Sequence, residues 1–149
     1  MTTELLHKRS VHIDAPVEKV FDYVKDPHHF FAAFPEKDRS HMALAEESLT
    51  PEGVGSTWKI MGRIFLLFYG EWVLTREEYV PNGRIVDHAN LGGVWDYTFE
   101  PDETGTTLSI GFGWSSKVPF LGEVIDRVSW DGDRDLDLVL GNLKKAIES

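Results

Sequence analysis

The chain contains no cysteine. That excludes a disulfide framework, a thiolate nucleophile and any thiolate metal site, and it suits a reducing compartment. Long apolar runs are also missing. The most apolar stretch, Ile64 to Tyr69 in RIFLLFYGEWVL, is six residues long, against the roughly 20 that a membrane-spanning helix needs. Positive charge is scarce, with 15 Lys and Arg against 25 Asp and Glu and a net charge of −10. No basic cluster interrupts that balance, which argues against a nucleic-acid partner and against an anionic membrane surface. The opening residues MTTELLHKRS have neither an apolar core nor a cleavage-site pattern. No signal peptide is therefore expected, and the expected location is cytoplasmic. Repeats, low-complexity segments and linkers are absent, and 149 residues fit one domain over 1–149 with a core of its own.

Catalytic and cofactor motifs are missing as well. There is no Ser-centred nucleophile elbow and no Gly-rich phosphate loop. The run DGDRDLDL, with Asp131, Asp133, Asp135 and Asp137, invites a calcium loop. Such a loop needs Gly at its sixth position and Glu at its twelfth, and counting from Asp131 these are Leu136 and Asn142. On a helix the same aspartates spread over the polar side, within reach of Arg127 and Arg134. His28, His29 and His41 do not have zinc-ligand spacing. No metal and no cofactor are expected.

Aromatic residues are abundant: nine Phe, five Trp and four Tyr. Their spacing follows the elements. Residues 4–13 read as a strand with Leu5, Val11 and Ile13 on one side. DAPVEKVFDYVKDP reads as a short helix, capped by Asp14 with Pro16 in its first turn. Its Val17, Val20, Phe21 and Val24 form an i, i+3, i+4, i+7 stripe, and Pro27 stops it. HHFFAAFPE is a second short helix, ended by Pro35. Six strands follow. HMALAEESL is the first of them, and STWKIMGRI puts Trp58, Ile60 and Ile64 on one face. FYGEWVLTREEYV puts Phe68, Trp72 and Leu74 on one face, and PNG at 81–83 is a turn signal before RIVDHANL. Gly92–Gly93 makes another turn into VWDYTFEP, where Trp95, Tyr97 and Phe99 alternate with polar residues. TLSIGFGW alternates Leu108, Ile110, Phe112 and Trp114 with small ones. From about 120 to 148 a helix carries Leu121, Val124, Val128, Gly132, Leu136, Val139, Leu143 and Ala146 on one stripe. Short turns between successive strands predict an antiparallel meander.

This order is an α+β helix-grip pattern: a curved antiparallel sheet wrapped around a long C-terminal helix, with two short helices after the first strand. The opening VHIDAPVEKVFDYVKDP, the strand pair W-x-Y-x-F-E-P…G-T-x-L and the amphipathic C-terminal helix resemble the START/polyketide cyclase-like (SRPBCC) superfamily over nearly the whole chain. They suggest a polyketide cyclase/dehydrase-type member. The resemblance implies a cavity between sheet and helix. It does not choose among lipid carriers, hormone receptors and aromatase/cyclases, all of which use the fold.

A hydrophobic small-molecule ligand is thus expected, with a lining of Phe30, Phe34, Trp58, Ile60, Phe68, Trp72, Asn90, Trp95, Phe112, Trp114, Val128 and Gly132. A mid-helix Gly costs about 1 kcal/mol against Ala, and either ligand space or a close helix–sheet contact accounts for Gly132. The apolar stretch at 64–69 falls at a hairpin tip. In the resembling abscisic-acid receptors the corresponding hairpin gates the pocket, but the gate and latch sequences of those receptors are absent here. A gate, a homodimer contact and plain packing stay open for the tip. Two polar residues are candidates for acid–base work. His88 shares a phase with Val86 and Asn90 and suits proton transfer near neutral pH, although the opposite phase would bring Asp87 inward. Tyr97 offers a hydroxyl, and Arg63 would suit a carboxylate or enolate but falls on a polar phase. An enzyme of the polyketide cyclase, aromatase or dehydratase class and a protein-interaction module are the rival readings.

Overall fold

The computed structural model describes residues 5–34, 42–65, 68–90, 92–114 and 132–149. The elements are β1 (Leu5–Ile13), α1 (Val17–Val24), α2 (Pro27–Ala32), β2 (Met42–Ser48), β3 (Thr57–Phe65), β4 (Phe68–Val80), β5 (Arg84–Ala89), β6 (Gly93–Asp102), β7 (Gly105–Trp114) and a C-terminal helix, α3 (Gly132–Glu148). The seven strands form one curved antiparallel sheet in the order β1-β7-β6-β5-β4-β3-β2. Strands 2 to 7 follow one another as the meander that the short turns predict. The chain closes the sheet by returning β7 beside β1, where Ile13 faces Thr106 and Val11 faces Leu108. At the β6–β7 turn a Cβ on Gly105 would lie 2.2 Å from the Ile13 carbonyl oxygen. Only glycine allows β1 to pass that closely.

The long helix lies on the inner face and is held chiefly by β1. Leu136, Val139, Leu140, Leu143 and Ile147 are buried, a 3.6-residue stripe. Ala146, expected on that stripe, is exposed, and Ile147 takes the inner place one residue later. Polar bonds flank the stripe. Arg9 donates from Nε and Nη2 to the two carboxylate oxygens of Asp137 at 2.9 and 3.0 Å, and His7 Nδ1 meets Asp133 Oδ1 at 3.0 Å. Lys144 Nζ donates to the His12 carbonyl at 2.8 Å. The aspartate run thus serves partly to lock the helix to the edge strand. Asp135 is buried rather than on the polar side.

The short helices begin differently from the sequence expectation. Pro16 stands at the N-cap of α1 and no side chain caps it. Asp14 instead donates its backbone N–H to Glu148 Oε2 at 2.8 Å, which ties the start of the helix to the end of α3. The capping aspartate is Asp26, whose carboxylate accepts the His28 N–H at 2.9 Å with Pro27 in the first turn of α2. This is the favoured Asp-Pro helix start. His29 is half-buried, stacked on Tyr23 with ring centroids 3.9 Å apart and bonded to the Tyr23 carbonyl. Pro35, His41, Leu121, Val124, Arg127, Val128 and Asp131 lie outside the described residues.

The helix packing gives a direct check. Leu143→Ala removes a fully buried side chain, and unfolding in urea should show a loss of about 2–5 kcal/mol. Leu138→Ala, on the solvent side of the same helix, should stay within about 0.5 kcal/mol of the parent. Equal losses would contradict the assigned helix face.

Candidate ligand-binding site

The register of the sheet fixes which side chains share its inner face. One line across the sheet runs from Arg76 to Asp87, Trp95 and Phe112, each facing the next. The line beside it runs through Ile85, Tyr97 and Ile110. The helix α2 covers the middle. Phe30 packs edge-on against Trp95 and Tyr97, with centroids at 5.1 and 5.4 Å, and against Phe34 at 5.1 Å. Trp95 lies 4.4 Å from Phe112, and Phe112 lies 5.2 Å from Trp114. One continuous aromatic wall results, reaching from α2 to β7. Asn142 of α3 donates to the Ala33 carbonyl at 2.8 Å, so the end of α2 is fastened to the long helix.

Among the described residues, one ion pair is buried within this apolar face. Arg76 is 5 % exposed and Asp87 2 %. Arg76 donates from Nε to Asp87 Oδ1 at 2.9 Å and from Nη2 to Oδ2 at 3.1 Å. Its Nη1 donates to the Lys25 carbonyl at the end of α1, at 2.9 Å. The guanidinium carbon stands 4.7 Å from the Trp58 ring centroid and 5.8 Å from that of Tyr79, a cation–π arrangement. Burial pushes the Asp87 carboxyl up, and the bonds and charge of Arg76 offset only part of that rise, so it stays above the ordinary carboxylate value. Burial, with the Asp87 charge adding to it, pushes the Tyr97 hydroxyl well above the ordinary tyrosine range. Tyr97 is therefore a proton donor at neutral pH and not a base.

Arg76 carries no sequence signal as a charged residue in TREEY. Its phase was the available clue, since it continues Trp72 and Leu74 at steps of two. A register shift between Arg76 and Glu78 then brings Tyr79 inward as well, where its ring meets Phe21 at 5.4 Å.

Phe30, Phe34, Trp58, Ile60, Trp95, Tyr97 and Phe112 are buried on the inner face, and Trp72 and Trp114 are packed partly buried against them. His88 and Asn90 are not. In β5 the buried residues are Ile85, Asp87 and Ala89, so the phase with Asp87 inward is the one adopted. His88 points to the outer face, where Nδ1 meets Glu77 Oε1 at 2.9 Å. Asn90 is exposed and accepts the Val73 N–H through Oδ1 at 3.0 Å. The apolar residues Ile85 and Val86 on successive positions made the two phases equal in sequence. Gly132 is the first described residue of α3. Val128 lies outside the described residues, as do the side chains of Arg63 and Phe68. The backbones of Phe65 and Phe68 are paired at the end of β3 and the start of β4, and residues 66 and 67 between them lie outside the described residues.

An open cleft of about 460 Å³ lies elsewhere, between Asp14–Glu18 and Pro101–Gly105. Its rim is acidic and it shares no residue with the aromatic wall. Among the described residues no group of three His, Asp or Glu is placed to hold a metal ion, and no helix is long and apolar enough to cross a membrane.

The family described as polyketide cyclase/dehydrase and lipid transport matches residues 7–148. No curated protein matches the chain. Solved structures with the same fold include the KanY protein, 17% identical with a TM-score of 0.65 and full coverage of both chains. Another is Ara h 8.0201, 9% identical with a TM-score of 0.65 and 95% coverage of each chain. A third is an AHSA1-like protein from Aeromonas hydrophila, 15% identical with a TM-score of 0.59, covering 96% of this chain and 94% of that one.

Two checks follow from this geometry. Asp87→Ala leaves the Arg76 charge buried without its partner, and should lower stability by about 3–5 kcal/mol. The double variant Arg76→Met with Asp87→Leu should lose far less, because no charge remains buried. A double variant as unstable as Asp87→Ala would contradict this. The cap of α2 is pH-sensitive. Burial raises the Asp26 carboxyl, but the hydrogen bonds from His28 outweigh it and the net value is lowered. The cap therefore stabilises fully above the unfolded aspartate value, and that contribution is lost as pH falls through the lowered folded value. Asp26→Ala should cost about 0.5–2 kcal/mol at neutral pH, and the gap from the parent should close in acid. A gap independent of pH would contradict the charged cap.

Proposed function

Because this chain belongs to the polyketide cyclase/dehydrase and lipid transport family, we propose that it binds a hydrophobic small molecule between the inner sheet face and α3. Lipids, polyketides and aromatic metabolites are the ligand classes. The observation that carries this is the continuous aromatic wall of Phe30, Phe34, Trp95, Phe112 and Trp114. Aromatic faces bury large apolar area and favour offset or edge contacts with a ligand ring. Trp58, Ile60 and Trp72 extend the same face toward the β3–β4 tip, and Phe68, Val128 and Gly132 complete the proposed lining. The apolar tip at 64–69 covers the ligand in this reading, and a homodimer contact through it is the rival. The ligand is a small molecule rather than a nucleic acid on the net charge of −10, and the location is cytoplasmic on the absence of cysteine.

General acid–base catalysis is the second reading, and one observation favours it: Asp87 and Tyr97 are both buried on the inner sheet face, where this reading puts the ligand. Binding ranks first because both Asp87 oxygens already accept from Arg76. In the catalytic reading Asp87 is the base that takes the substrate's α-proton, and Tyr97 is the acid that donates its phenolic proton to the enolate oxygen as it develops. His88 has no part in it from the outer face.

The test is thermal unfolding against a panel of fatty acids, sterols, flavonoids and polycyclic aromatics. A ligand at 100 times its Kd should stabilise by about 2.7 kcal/mol, which raises the midpoint by several degrees. A flat response to the whole panel would contradict the reading. Tyr97→Phe separates the two functions. It should leave ligand binding intact, and in the catalytic reading should lower turnover by about 10²–10⁴-fold.

A further inference from the structure

The inner face carries buried polar groups that no described residue satisfies. The indole N–H groups of Trp58, Trp72 and Trp114 are all buried, and among the described residues no acceptor lies within hydrogen-bond reach of any of them. An indole nitrogen is a donor only. A buried donor without an acceptor costs about 1–3 kcal/mol, and folded proteins carry few of them. The buried ion pair differs: Arg76 and Asp87 both have partners within 3.1 Å.

The three indoles are ordered by the register. Trp58 faces Leu74, and Leu74 faces Ala89. At the other side Trp114 faces Gly93. A Cβ on Gly93 would lie 3.8 Å from the Ala89 Cβ and 3.2 Å from the Phe112 ring. A single line across the sheet thus has an indole at each end and its smallest residues, Ala89 and Gly93, between. Trp72 faces Ile60 on the strand next to Trp58, a diagonal neighbour one step closer to the β3–β4 tip. Four strand spacings separate Trp58 from Trp114, roughly 19 Å along the sheet at about 4.8 Å each.

We infer that Trp58, Trp72 and Trp114 are the specificity-determining donors of the site, and that they select a planar aromatic ligand with acceptor oxygens on opposite sides. The inference rests on the proposed binding function and narrows its ligand class. A fatty acyl chain offers acceptors at one end only and leaves a donor unpaired at the other. A fused-ring ketone or phenol offers flat faces to the aromatic wall and oxygens to both ends. Donors with no acceptor of their own also discriminate strongly, because a ligand lacking oxygen leaves them unpaired as before.

A matched pair of probes tests this. 9,10-Anthraquinone and anthracene share one ring skeleton, and only the first bears two opposed carbonyl acceptors. Affinities are measured by tryptophan fluorescence on the full chain, and the indole N–H resonances are followed in ¹⁵N-labelled protein, with palmitate as the aliphatic reference. The quinone should bind at least tenfold more tightly than anthracene and shift downfield the Trp114 indole proton at one end together with that of Trp58 or Trp72 at the other. Trp72→Phe, in the partly buried position, should erase most of that preference while leaving anthracene affinity unchanged within about threefold. Should a variant fail to fold, the affinity ratio and the indole shifts of the parent protein decide. Equal affinities with unmoved indole resonances would overturn the inference. So would binding of palmitate alone, which leaves the pocket reading standing. Binding of none of the three would overturn both.

Discussion

The arrangement of the inner face depends on one buried charge pair. Desolvating a guanidinium and a carboxylate costs several kcal/mol per ion, so the pair persists only where its geometry is nearly complete. Here it is. Two bonds join Arg76 to Asp87, a third reaches the Lys25 carbonyl, and Trp58 presents its ring to the cation. The pair joins β4 to β5 and pulls the end of α1 onto both. The next residues are Asp26 and Pro27, which start α2. The position of Phe30 and Phe34 over Trp95 follows from that corner, and so does the aromatic wall.

A second set of polar contacts completes the grip from the far side. Arg9, His7 and the His12 carbonyl hold α3 along β1, while Asn142 holds it to α2. The exposed ion pairs add little energy individually, and burial of Leu136, Val139, Leu140, Leu143 and Ile147 provides the stabilisation. The contribution of the polar contacts is register: they fix which helix residues face the sheet.

The fold was legible because its signals are periodic. Trp95, Tyr97 and Phe99 alternate in β6, and Val17, Val20, Phe21 and Val24 repeat at helical spacing, so element type and the meander of successive strands follow from sequence, while the pairing of β1 with β7 is a long-range contact that periodicity does not carry. The site was legible only where an apolar residue marks the phase. Trp58, Ile60, Trp95 and Phe112 announced the inner face. In β5, Ile85 and Val86 are equally apolar, so the choice between Asp87 and His88 depended on pairing with β4 and β6. Arg76 is the clearest case. A charged side chain becomes an interior residue only when Asp87 arrives beside it from a neighbouring strand, and that meeting is a long-range event. The Asp14 reading missed for a similar reason, because its backbone is held by Glu148 from the other end of the chain.

A shared fold at 9–17% identity fixes architecture and leaves activity to the site. The site here is an aromatic wall with few polar groups, and those groups are donors or are already paired. Such a surface favours holding a ligand over transforming it. The most direct test is native mass spectrometry of the protein after incubation with a small-molecule extract of its host cells, followed by denaturing release. The account predicts a stoichiometric adduct on the folded chain that is freed on unfolding and identifies as an apolar or aromatic molecule. Bare chain mass, with nothing released, would contradict the claim that the interior holds a ligand.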